Sequence, residues 1–329
     1  MAADYWLKRA LANEQLAHRT ATQTAIELKK VYIRQYKKIY REMEGLYGQL
    51  SWETPVTRTQ LWDYTRWKSM EKELRGFATE IPKISVDAIT QSLDKVFQEV
   101  IGANVQQFTS PEAFRVAGDA ASVVNTAWSG ECFSSRIWKN TNAIANRIRS
   151  DMEDFVVNGR SLSDVKVKLM QDFSVGYNDA SRLVETEASY VMNEAAKKEY
   201  KSENIRKVRW SIRPEDGKEC ELCKSRADLV WRIDNAPTIP AHPRCRCTWV
   251  AVYELPGEHI PCTGEGEDQK NLKRIELPEE LQNADIVQIT RTTNAAAAKE
   301  NPTATTTTTT TNQKTVEQKT GGKIRKITP

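Results

Sequence analysis

The 329-residue chain contains no run of about 20 apolar residues, so it lacks the segment that a bilayer-spanning helix requires and offers nothing for a membrane role. Histidine is nearly absent. His18, His242 and His259 are the only three, with no His-Glu-x-x-His pair and no His-x-Glu with Pro-Cys-x-x-Cys, which argues against zinc hydrolases and zinc deaminases. Gly-rich phosphate loops and Gly-x-Ser-x-Gly elbows are missing as well. Glu185, Glu187 and Asp216 have no spacing that sets them apart from helix-surface or turn residues, so neither an enzyme nor a small-molecule substrate is expected. An internal repeat of 20 to 50 residues is also lacking, which disfavours a solenoid.

Charge of one sign is scarce too. Net charge is +4, from 48 basic and 44 acidic side chains. Six basic residues against two acidic ones between Lys299 and Pro329 account for that excess. The rest is balanced, so only local patches or the tail could hold nucleic acid. The opening Met-Ala-Ala-Asp-Tyr-Trp-Leu-Lys-Arg places charges where a secretory leader needs its apolar core. Assembly in a cytoplasm is expected.

What is present is mostly helical pattern. Residues 4 to about 50 carry Leu28, Tyr32, Tyr36, Ile39, Met43, Leu46 and Leu50 at spacings of three and four, an apolar stripe that wants another helix. The opposite face holds Lys29, Lys30, Arg34, Lys37, Lys38 and Arg41, either a solvated face or a surface for nucleic acid or an acidic partner. A break at residues 51–57 with Pro55 leads into a segment with Trp62 and Trp67, and a second break is expected near Pro82. Helices are then expected over 84–107, from a start at Ser110-Pro111-Glu112, over 131–157, from Ser161 or Ser163 to about Phe173, and from Asn178 to about Tyr200. At residue 205 the period changes to two: Val208, Trp210 and Ile212 alternate with polar residues, and a second strand is expected at 248–253. The fold class is mainly α, with long N-terminal helices, a small C-terminal α+β Cys-rich module and a disordered C-terminal tail. The expected organisation is an N-terminal helical region over 1–128, a domain over 129–255 with its Cys/His cluster at 216–247, a linker over 256–293, and a low-complexity Thr/Lys-rich tail over 294–329.

Four of six cysteines, Cys220, Cys223, Cys245 and Cys247, fall within 28 residues. A Cys-x-x-Cys pair lets two thiolates meet one ion from a tight turn, and a second cluster with His242, Cys245 and Cys247 can complete a tetrahedron. A structural zinc site is expected. Five donors compete for four places: either all four cysteines bind, or His242 replaces one of the second pair. Cys245 and Cys247, two apart, point the same way in an extended strand, which suits two ligands only if the strand bends. The alternatives are a redox pair, which lacks its βαβ context, disulfides, which the expected compartment disfavours, and reduced thiols packed in a small core.

Asn158-Gly159-Arg160-Ser161-Leu162, then Ala180-Ser181-Arg182-Leu183-Val184-Glu185-Thr186-Glu187 with Asn193, then Asp216, Cys220-x-x-Cys223 and His242-Pro243-Arg244-Cys245-Arg246-Cys247, follow one another in an order that resembles the head-morphogenesis domain of phage Mu F-like minor head proteins. The match spans roughly residues 130 to 253, and Phe133-Ser134-Ser135-Arg136-Ile137-Trp138 is similar to the segment leading into that domain. One departure is Glu185, where many relatives carry arginine. The resemblance implies a minor capsid protein of the virion that associates with the portal protein and other procapsid proteins during assembly and influences DNA packaging or delivery. The Leu28 to Leu50 stripe and the Trp62/Trp67 segment are the expected contact surfaces. The competing expectation is non-specific DNA binding through the basic helix face and the Lys-rich tail.

Overall fold

Helix α1 (Ala2–Tyr47) runs for 46 residues, as its apolar spacing requires. The computed structural model describes residues 2–50, 56–105, 120–212, 220–255 and 257–264. The stripe on α1 is core: Leu28, Ile39, Met43 and Leu46 are at most 1% exposed, packed against two other long helices. That overturns the stripe as a contact surface, because the chain's own helices already cover it.

After the short α2 (Arg58–Leu61), closed by a Thr57/Gln60 capping box, α3 (Thr65–Val105) continues through Pro82 without ending. No break occurs there, contrary to expectation. Proline removes one helical hydrogen bond and costs about 3 kcal/mol in a helix interior. Burial of Phe77, Ile81, Ile89, Leu93 and Phe97 on the inward face offsets that cost. Trp67, at the start of α3, is fully buried and so is not a contact residue, whereas Trp62 stays 37% exposed with the Arg149 guanidinium over its ring. The expected start at Ser110-Pro111-Glu112 lies outside the described residues.

Helices α4 (Ala120–Val124) and α5 (Phe133–Val157) follow, and Gly159, at φ +63°, helps turn the chain. The next helix, α6 (Leu162–Ser202), is one 41-residue element rather than the expected two. Ser161, not Ser163, caps it, reciprocally with Asp164. Gly176, between the expected helix end near Phe173 and the expected start at Asn178, sits where helices approach closely. A Cβ there would lie 2.7 Å from Ile144 Cδ1 and 3.0 Å from Tyr32 Cε1, so the missing side chain serves packing rather than termination.

The C-terminal part of the described chain is a three-stranded antiparallel sheet, order β2-β1-β3, of β1 (Lys207–Ser211), β2 (Val230–Arg232) and β3 (Thr248–Val252). The six-residue α7 (Glu221–Arg226) lies between β1 and β2. Trp210, Trp231 and Trp249 meet one another at 5.2–6.1 Å between ring centroids and are almost fully buried. β3 is an edge strand, and side chains of α6 satisfy its outer backbone groups. Asn193 donates to the Cys247 carbonyl and accepts from the Trp249 N–H, and the Tyr200 hydroxyl donates to the Trp249 carbonyl. Asn193→Ala would strand both backbone groups in a buried site, and a loss of about 2–3 kcal/mol in urea unfolding is expected.

Helices and sheet share one apolar core, and the described residues pack as one compact unit. Among the described residues no helix is long and apolar enough to cross a membrane. The Thr/Lys-rich tail and all of the expected linker after Gly264 lie outside the described residues.

Candidate metal centre

Cys220 is the N-cap of α7, and its Sγ accepts the Cys223 N–H at 3.4 Å. One helical turn therefore sets both sulfurs on the same side. Across from them the chain makes a second turn, closed by the Cys245 N–H to His242 carbonyl bond at 3.1 Å. Arg244 in this turn has φ +60°, a left-handed conformation that costs an ordinary residue about 1–2 kcal/mol. Two contacts to α6 hold it there: its N–H donates to Thr186 Oγ1 at 3.1 Å, and its Nε pairs with Glu185 Oε2 at 3.2 Å. Two residues on, Arg246 Nε reaches Glu14 Oε1 of α1 at 2.6 Å. The turn is thus fixed to α1 and α6.

Four other donor groups converge on Cys223. Its Sγ is 3.3 Å from His242 Nε2 and 3.8 Å from Cys245 Sγ. The ligand atoms of Cys220, Cys223 and His242 lie within 4.8 Å of one another, as do those of Cys223, Cys245 and Cys247. A tetrahedral zinc with bonds of about 2.3 Å to sulfur and about 2.0–2.1 Å to nitrogen has edges of ~3.8 Å between sulfurs and ~3.5 Å from sulfur to nitrogen. The two shortest contacts sit near those values. At 3.8 Å the sulfurs are far beyond the ~2.05 Å of a disulfide. The group can hold a metal ion. Cys223, Cys245 and Cys247 are buried, while Cys220 and His242 are half-buried, at the edge of the site.

Without a metal, protons fill the site. Crowded among Cys223, Cys247 and His242, Cys245 is held well below the usual thiol range, while the neighbouring sulfurs and burial push Cys223 up. His242 rises to about 9, chiefly through the Cys245 sulfur. A divalent cation would displace these protons. The Arg226 guanidinium, stacked over Trp210 at 5.2 Å, adds positive charge beside the sulfurs.

Among the acids read as surface residues, Glu187 requires correction. It is 2% exposed and accepts from Trp128 Nε1 at 2.8 Å, and burial pushes its carboxyl up. The second half of α6 is covered on most sides, so no free face exists for it. Glu185 belongs to the Arg244 contact, and Asp216 lies outside the described residues. Sequence reasoning missed Arg226 and Glu14 and held Thr186 only as part of a motif; the roles of all three arise from contacts across the fold.

Lys29, Lys30, Arg34, Lys37, Lys38 and Arg41 are all exposed on α1. Lys29 lies over the Tyr177 ring and Lys38 pairs with Glu73 at 3.7 Å, while among the described residues the other four make no ion pair. No protein-family model matches the chain, and no curated protein and no solved structure matches it either.

Proposed function

We propose that this chain is a phage minor capsid protein of the head-morphogenesis type, a component of the virion that associates with the portal vertex during procapsid assembly, and that its Cys-rich centre holds a structural zinc. One observation carries the reading. Two of the separate stretches that bear the resemblance touch each other: Thr186 and Glu185 of α6 hold Arg244, and Asn193 of α6 holds Cys247. Glu185, where relatives carry arginine, is the partner of a cation that comes from the loop instead. Sulfur and imidazole donors in tetrahedral reach favour zinc among the common divalent ions, and a Cys-rich site of this kind stabilises a fold rather than activating water.

With the Leu28 to Leu50 stripe buried, the surface left for portal and other capsid proteins includes the outward side of α1, where Ile26 and Ile33 are each 43% exposed among the basic residues, and Trp62. Co-expression with the portal protein of the same phage is expected to yield a complex through affinity purification and gel filtration. Separate elution of two folded proteins would contradict the assignment.

A second reading is favoured by Lys30, Arg34, Lys37 and Arg41, exposed on α1 without an ion pair among the described residues: non-specific binding of DNA phosphates, in support of packaging or delivery. Affinity falling steeply between 50 and 200 mM salt, and weakened by K30E/R34E/K37E, is its expected signature. Absent or salt-insensitive binding removes it.

A further inference from the structure

We propose that Cys220, Cys223, His242 and Cys245 are the four metal ligands and that Cys247 is an unligated thiol, an assignment that rests on the metal-binding reading above. Two turns of equal span carry it. Cys220-x-x-Cys223 presents two sulfurs from the first turn of α7, and His242-x-x-Cys245, closed by its own backbone hydrogen bond, presents an imidazole and a sulfur from the facing loop. Each turn brings its first and fourth side chains to one side, so two turns supply a tetrahedron.

Cys223 joins the two pairs through its contacts at 3.3 Å to His242 and 3.8 Å to Cys245. His242 is already oriented for ligation. Its Nδ1 lies 2.8 Å from the Pro243 carbonyl and donates to it, which leaves the Nε2 lone pair directed at the sulfurs. Cys245 closes the His242 turn, whereas Cys247 lies beyond that turn at the entry to β3, with its sulfur beside Cys223 and Cys245 and its carbonyl fixed by Asn193. Charge points the same way. A divalent ion with three thiolates and a neutral imidazole carries a net charge of −1, which the Arg226 guanidinium beside the sulfurs offsets; four thiolates would leave twice that charge on a partly buried site.

X-ray absorption at the zinc edge of the full-length wild-type protein reads the ligand set without a mutation. Three sulfurs at about 2.3 Å and one nitrogen at about 2.0–2.1 Å are expected. Metal analysis of variants is the second readout: Cys247→Ser keeps one zinc per chain, Cys220→Ser, Cys245→Ser and His242→Ala lose it, and His242→Cys restores it. A sulfur-only shell, or zinc retained by His242→Ala and lost by Cys247→Ser, overturns the ligand set alone. Wild-type protein that takes up no zinc in a titration overturns the metal-binding reading itself.

Discussion

Chelation of the metal from the wild-type protein is expected to lower the thermal midpoint by about 10 °C or more, and Cys223→Ser is expected to have the same effect without chelator. Between Ile212 and Thr248 the described chain has only the six residues of α7 and the three of β2 as regular structure. Little else closes these loops, and the buried sulfurs of Cys223, Cys245 and Cys247 crowd within 4.8 Å of one another. Structural zinc binds small peptides with about 10–16 kcal/mol of apparent free energy. Here part of that is dispensable, since the sheet also packs on α1 and α6. A residual loss of about 4 kcal/mol, at about 2–4 °C per kcal/mol for a domain of this size, gives the stated shift. The near-UV circular dichroism of Trp210, Trp231 and Trp249 is expected to collapse first, with helical far-UV signal retained. An unchanged midpoint after complete metal removal would contradict the structural role.

Stability is also expected to fall as pH rises from about 4.5 to 8, through Glu199. Its side chain is 5% exposed beside Arg9 of α1, which is itself 10% exposed and lies over Trp6. Burial pushes its carboxyl up to about 8, against the pull of Arg9, with the Glu203 charge adding to the rise. In the unfolded chain the same carboxyl releases its proton near 4.5. Between these values the folded state holds the extra proton, so each rise in pH favours unfolding. The full benefit is present below about 4.5 and gone above 8. Its size is on the order of 3 kcal/mol across the window, and Glu199→Gln is expected to flatten the profile of urea-unfolding free energy against pH. A wild-type profile that is already flat would contradict this placement of the charge.

The sequence showed some of this fold and concealed the rest for physical reasons. The α1 stripe was legible because one face of a long helix repeats its apolar residues, and β1 because Val208 and Trp210 alternate with polar neighbours. The expected breaks at Pro82 and between Phe173 and Asn178, where Gly176 lies, misled in the same way. Each residue is a local breaker, but packing along α3 and between α1, α5 and α6 outweighs the local penalty. β2, only Val230, Trp231 and Arg232, was too short for any period to show. At the metal centre the donor types and spacings were readable. The Asn193 and Thr186 contacts to the loop, 54 and 58 residues away in sequence, were not, because spacing along a chain does not disclose which distant backbone a side chain will meet.

The proposed assignment to a phage head is tested most directly by quantitative mass spectrometry of virions and procapsids purified from the source of the chain, with its peptides measured against those of the major capsid and portal proteins. The account predicts a few to some tens of copies in each particle. Absence from both would contradict it and bring DNA binding in the infected cell forward.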